Sequence, residues 1–312
     1  MKNVLLAFLV MMFSSTATLA EGPDRDDGWR ASVPASRFIV DVDQLPQLLT
    51  QPGVVLLAAA SIDETGPLGY VDNAILVDED AWANFSFSAD NLVDYQAWSQ
   101  MIGQLGIGAS TRVFVYDDGE LKFASRIRFL LAHYGVADAS LVNGGFAAMQ
   151  PLIASGVLHE QNQPAIPTPD LYIAREVQQP IPMVFRDDVA AAALSDPPTA
   201  TLLDVRTTGE FDGTVLIAPD TRGGHIPGAQ NLPIAEFFEP YDPNELMSPT
   251  ELLSFLTSAS LFPDQHIIVY CQDGAKSSLA ALALLNAGFS NFELYYLSYR
   301  NWQQDPRLPV EE

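Results

Sequence analysis

Three short segments of this chain recur in the same order at a separation of about 155 residues, the signature of a duplicated unit. Gly69-Tyr-Val-Asp-Asn-Ala74 returns as Gly224-His-Ile-Pro-Gly-Ala229. Val113-Phe-Val-Tyr-Asp117 returns as Ile267-Ile-Val-Tyr-Cys271, and Asn143-Gly-Gly-Phe146 falls near Tyr299-Arg-Asn-Trp302. A length of 312 residues accommodates two such units. Within each copy, short apolar runs alternate with longer amphipathic stretches. Val54–Ala58, Arg112–Tyr116, Thr201–Val205 and His266–Tyr270 read as buried strands. Ser125–Tyr134 and Ser277–Ala287 read as helices, the second stopped by Gly288. This alternation predicts an α/β fold, each copy a mainly parallel sheet flanked by helices. The expected limits are 36–155 for the first domain and 183–312 for the second, with a Pro-rich extended linker over 156–182.

The first twenty residues follow a different logic. Lys2 precedes an apolar run, Val4–Phe13, too short to cross a bilayer. Small residues then lead to Thr18 and Ala20, at −3 and −1 of a cut before Glu21. This pattern predicts a secretory signal peptide over 1–20 and a periplasmic protein that has no membrane span after cleavage. With Lys+Arg 15 against Asp+Glu 39, the formal charge is -24. So acidic a chain is repelled by phosphate backbones, which disfavours nucleic acid as a partner.

One cysteine, Cys271, excludes an intramolecular disulfide and a cysteine-based zinc site. It stands where an apolar strand ends and a loop leads into a helix, in Cys271-Gln-Asp-Gly-Ala-Lys-Ser-Ser278. Gly274 permits a tight turn. The free N–H groups at the start of the following helix point back toward the loop and stabilise a thiolate there. Lys276, one of three lysines in the chain, adds a nearby cation. The pattern identifies Cys271 as a candidate nucleophile rather than an inert core thiol.

These residues, in this order, resemble the rhodanese family of sulfurtransferases, in the tandem-domain form of the thiosulfate and 3-mercaptopyruvate sulfurtransferases. The second half carries Leu203-Asp-Val-Arg206, Glu210-Phe-Asp-Gly213, Arg222-Gly-Gly-His-Ile-Pro-Gly-Ala229, Asn231-Leu-Pro233 and the Cys271 loop. The first half, with Val115-Tyr-Asp117, Ala124-Ser-Arg126 and Asn143-Gly-Gly-Phe146, looks like the non-catalytic domain, with Asp117 in the cysteine position. The resemblance implies two rhodanese-like domains and a sulfur relay through a Cys271 persulfide, with no metal or organic cofactor. The donor would be a small anion, and the acceptor a thiol or cyanide. The substrate-binding groups implied are Gln272, Asp273, Gly274, Ala275, Lys276 and Ser277, through the loop amides, together with Arg206.

The chain departs from that family in three places. Gln272 and Asp273 replace basic residues after the cysteine, Glu210 stands where the tandem enzymes often place an arginine, and the closing Gly-Ser-Trp pattern reads Arg300-Asn-Trp302. These departures leave a second reading open, a non-catalytic persulfide carrier or binding module serving a partner protein. A cysteine phosphatase is disfavoured, since it needs arginine six residues after the cysteine and position 277 is Ser. Asp204 and Arg206 are expected to form a structural ion pair, His225 to stabilise a turn, and Trp302 and Phe146 to anchor the core. The catalytic reading also carries a requirement: Cys271 must be open to its donor.

Overall fold

The computed structural model describes residues 38–61, 69–177 and 179–312; the expected signal segment lies outside them. The described residues form one compact unit built on two five-stranded sheets. In the first, the spatial order is Ile75–Asp78, Val54–Ala60, Arg112–Tyr116, Ala139–Val142 and Ile39–Val40, with every neighbouring pair parallel. In the second it is Gln230–Asn231, Thr201–Asp204, Ile267–Tyr270, Phe292–Tyr295 and Met183–Val184, again all parallel. The two orders match strand for strand, so the duplication read from the sequence is a duplication of topology.

Parallel sheets need both faces covered, and the composition of the central strands reflects this. Arg112–Tyr116 and Ile267–Tyr270 are continuous apolar runs, fully buried except for Arg112 at the first strand's outer end. A helix follows each of them: Lys122–His133 in the first half and Ala275–Asn286 in the second. Both helices are buried along nearly their whole length, because they pack on their own sheet and on each other across the join of the halves. Other helix starts are capped as their sequences dictate. Asp78 and Asp94 accept from the amides of Ala81 and Ala97, and Thr207 and Ser248 form capping boxes with Glu210 and Glu251.

Two details revise the sequence reading. The third repeat is three residues out of register: Phe146 corresponds to Tyr299, not to Trp302. The amide of Phe146 donates to Asp117 O at 2.7 Å, and that of Tyr299 donates to Cys271 O at 3.0 Å. The preceding residues, Gly145 and Ser298, share a left-handed backbone with φ 55 and 57. The register follows this turn, which local similarity around an aromatic residue does not fix. Trp302 is fully buried and Phe146 packs against the first core.

The segment expected as a linker is extended, but it lies on the first half rather than hanging free. Leu158 belongs to the first core, and Glu160–Gln161 pairs with Tyr70–Val71. Ala165 N donates to Ala74 O at 2.8 Å, and Asp170 N to Gly103 O at 2.9 Å. The prolines keep the strand extended while apolar residues between them, such as Tyr172 and Ile181, are buried. No helix among the described residues is long and apolar enough to cross a membrane.

Candidate active site

Cys271 follows the central strand of the second sheet, at the carboxyl end where parallel sheets bind ligands. Its backbone is fixed from both sides. Its amide donates to Ser298 Oγ at 3.1 Å, and its carbonyl accepts from Tyr299 N. The chain then turns at Gly274, whose φ of 99 suits glycine, and a Cβ there would sit 2.6 Å from Tyr296 O. This turn brings the Gly274 amide to 3.2 Å from Cys271 Sγ. Ser298 Oγ lies 3.9 Å from the same sulfur. The helix Ala275–Asn286 begins directly behind, with its positive end toward the loop.

The side chains named from sequence are brought together around this loop, but most are engaged with one another. Gln272 donates through Nε2 to Asp220 and accepts through Oε1 from Arg206 Nη1 at 3.5 Å. Arg206 is clamped by Asp204, with Nε–Oδ1 3.1 Å and Nη2–Oδ2 2.6 Å, and also donates to Gly224 O at 2.8 Å. Its guanidinium lies over the Tyr299 ring at 4.0 Å. Arg206 therefore holds the loop through Gln272, and Asp204 has the pairing role expected for it. Lys276 Nζ lies 3.5 Å from Glu210 Oε2. Burial pushes Glu210 up, but its bonds to Thr207 and the Lys276 charge leave its carboxyl below the usual range. Both described lysines, Lys276 and Lys122, line a cleft of ≈ 620 Å³ with Glu120, Phe238, Met247 and Leu279. Ser277 Oγ is 3.5 Å from Ser298 Oγ, and Ala275 N donates to Asp273 Oδ1 at 3.4 Å. His225 serves its turn, stacked on Phe211 at 3.6 Å and donating through Nδ1 to Phe211 O.

The requirement of an open thiol is not met as the chain stands: Cys271 is 0% exposed. The Gly274 amide and Ser298 Oγ lie against its sulfur, and the first half of the chain packs on the loop and on Tyr296. There Arg126 donates through Nη2 to Asp273 O at 3.0 Å and pairs with Asp273 Oδ1 at 2.9 Å. Ser86 Oγ lies 2.6 Å from Tyr296 OH, and Phe129 stacks on Tyr296 at 5.6 Å. Sequence reasoning missed Arg126, Glu79, Asp220, Ser298 and Arg300 as parts of the site. Arg126 left one signal, as one of two arginines, with Arg128, set in the middle of the helix before the apolar run Phe129–Ala132. The others reach the loop only through folding.

The first half holds an equivalent loop, and it is occupied. Asp117, fully buried, accepts through Oδ1 from the amides of Gly119 at 3.0 Å and Leu121 at 2.9 Å. Its Oδ2 accepts from Phe123 and Ala124, both at 3.1 Å. Leu121, at φ 61, takes the place of Gly274, and each receives the amide of the residue four further on, Ser125 or Ser278, at 3.0 Å. By this register Phe123 and Ala124 correspond to Lys276 and Ser277.

Comparison with known proteins agrees with this geometry. Residues 187–305 match the rhodanese-like domain family. The chain is 28% identical over 245 residues to the 3-mercaptopyruvate sulfurtransferase of Escherichia coli (strain K12), covering 78% of this chain and 83% of that one. It is 32% identical over 225 residues to a probable 3-mercaptopyruvate sulfurtransferase of Pseudomonas aeruginosa, covering 71% of this chain and 72% of that one. The fold superposes on the crystal structure of SseA from Escherichia coli with a TM-score of 0.67 at 24% identity, covering 84% of this chain and 98% of that chain.

Proposed function

The chain belongs to the rhodanese-like sulfurtransferases, and on that premise we propose that it moves a sulfane sulfur from an anionic donor to a thiophilic acceptor through a persulfide on Cys271. The donor class is thiosulfate or 3-mercaptopyruvate, and the acceptor a thiol or cyanide. The Cys271 thiolate attacks the outer sulfur of the donor. With thiosulfate, the S–S bond to sulfite breaks and sulfite leaves with the electron pair. With 3-mercaptopyruvate, the C–S bond breaks and the carbon fragment takes the electron pair and a proton, leaving as pyruvate. The acceptor then attacks the outer persulfide sulfur and Cys271 departs as the thiolate, a two-step nucleophilic cycle.

The observation that carries this reading is the Asp117 loop. A carboxylate oxygen stands one bond beyond the γ atom, where the outer sulfur of a cysteine persulfide would stand. In the first half, two amides converge on each of the two carboxylate oxygens. The corresponding donors of the second half are the amides of Gly274, Lys276 and Ser277, of which Gly274 already reaches Sγ. By analogy with the Asp117 loop, these amides would receive a terminal persulfide anion, and hydrogen bonds to an ionised acceptor are among the strongest a protein makes.

Because Cys271 is covered, the donor must enter by movement of the loop or of the Arg126 side of the interface. The same burial favours the second reading, a carrier that receives a sulfur from a partner protein and protects it. Intact-mass measurement after incubation with each donor, followed by turnover with cyanide, separates the two. The expected result is gain of one sulfur atom, absent in Cys271→Ser, and repeated turnover. Uptake without turnover would establish the carrier. A native thiol untouched by every donor, yet modified after unfolding, would sink both.

We also propose export to the periplasm, supported by the apolar, small-residue-terminated segment 1–20. Expression of the full chain should release a mature protein beginning at Glu21; an intact N-terminus retained in the cytosol would overturn this.

A further inference from the structure

An acidic side chain two residues after the nucleophile conflicts with an anionic donor, and the structure shows what resolves the conflict. Arg126, on the helix Lys122–His133 of the half that lacks the cysteine, is 3% exposed. Its Nη2 spans both the carbonyl and the carboxylate of Asp273, at 3.0 and 2.9 Å. Its Nη1 rests on Glu79 Oε1 at 2.7 Å, also 3% exposed. We infer that Arg126 is a positioning and specificity-determining residue of the Cys271 site, which fixes the loop at Asp273 and cancels that carboxylate toward an incoming anion. The inference rests on the proposed function, since it presumes that Cys271 is the nucleophile and that its donor is anionic.

Three observations support it. First, Asp273 keeps its charge although half-buried: burial pushes its carboxyl up, but Arg126 and then Arg300 hold it below the ordinary range. Second, Arg126 is not consumed by its other partner: it meets Glu79 through Nη1 and keeps Nη2 for Asp273. Third, the remaining charges around the loop are paired among themselves. Arg206 is held by Asp204, Lys276 faces Glu210, and Arg300 lies 3.7 Å from Asp220. Among the described residues, only Arg126 pairs with the Asp273 side chain at ion-pair distance. A planar guanidinium suits the task, because one fork can meet a carbonyl, a carboxylate and a second carboxylate at once.

The test compares alkylation of Cys271 by iodoacetate, which is anionic, with alkylation by iodoacetamide, which is neutral, locating the modified residue by mass. The ratio of the two rates reports charge at the site and is insensitive to a general loss of stability. In Arg126→Gln the ratio should fall about fivefold, and KM for an anionic donor should rise more than kcat falls. Adding Asp273→Asn to that variant should restore the ratio. Arg126→Lys should keep the ratio while lowering turnover, since one ammonium cannot hold all three oxygens. Should Arg126→Gln not fold, Asp273→Asn alone carries the test and should raise the ratio above wild type. An unchanged ratio in Arg126→Gln, a ratio that Asp273→Asn fails to restore, or a single Asp273→Asn variant that behaves as wild type would each overturn the assignment. A wild-type Cys271 that reacts with neither reagent sinks the nucleophile itself, a result distinct from a reactive thiol indifferent to Arg126.

Discussion

The Asp117 loop and the Cys271 loop end equivalent strands, start equivalent helices, and are braced by equivalent amides, those of Phe146 and Tyr299. They differ in length by one residue before the left-handed turn, and in what fills them. Asp117 is a fixed anion whose four amide bonds are complete. Cys271 offers a single sulfur, which accepts from one amide, that of Gly274, at 3.2 Å. The first loop has become a structural unit by carrying its own ligand. The second has one amide on its sulfur where the first has four on its carboxylate, and under the proposed function the remaining donors serve the transferred group.

The largest effect should come from making the second loop like the first. Cys271→Asp should place a carboxylate among the amides of Gly274, Lys276 and Ser277, preserving thermal stability while removing turnover, by roughly three orders of magnitude or more. Residual turnover near wild type in a cyanide-release assay would break the equivalence of the two loops.

The converse change reports on stability. Asp117→Asn keeps the shape but turns one end of the side chain into a donor facing two amide donors, and should cost about 2 kcal/mol in urea unfolding. The pH dependence is specific to this residue. Burial lifts Asp117 to about 6 against the opposing pull of its amides, from an ordinary value of 3.8. The folded state therefore holds a proton that the unfolded chain has released between about pH 4 and pH 6. Stability from this group is greatest below that window and falls as pH rises through it, by roughly 3 kcal/mol in total. The wild-type chain should lose stability over that range relative to Asp117→Asn. Parallel pH curves for the two proteins would show that the carboxylate is not held as described.

The smallest effect concerns the charge beside the active loop. Glu210→Gln can still accept from Thr207, so the helix cap survives, but it releases Lys276 from its carboxylate. KM for an anionic donor should fall about twofold at low salt, an advantage lost at high ionic strength. No change at either salt concentration would mean that the Lys276 ammonium does not face the donor.

Much of this architecture is legible in the chain itself. Continuous apolar runs such as Ile267–Tyr270 specify buried parallel strands, because only a sheet covered on both faces accommodates them. The recurrence of such a run before Asp117 and before Cys271 marks both loops. Other features escaped because their cause is not local. The register of Phe146 with Tyr299 is set by a left-handed turn and a backbone bond to the loop start. The linker prolines indicate extension, but not that Tyr172 finds Tyr134 O at 3.0 Å. Gln272 and Asp273 stand out in the sequence as departures after the cysteine, but nothing local indicates that their side chains are taken up by Asp220 and Arg126.

Residue types and spacing alone specify the duplicated α/β plan, the candidate nucleophile Cys271, and the aspartate that stands at its position in the other copy. Each is a matter of residue type and spacing along a single segment, which periodicity and turn chemistry fix. It takes the three-dimensional fold to bring the Arg126 guanidinium of the copy without a thiol onto Asp273 of the other copy's loop, and to bury Cys271. Arg126 and Asp273 stand far apart along the chain, and their pairing exists only because two helices bury their apolar faces against each other and carry one charge to the other.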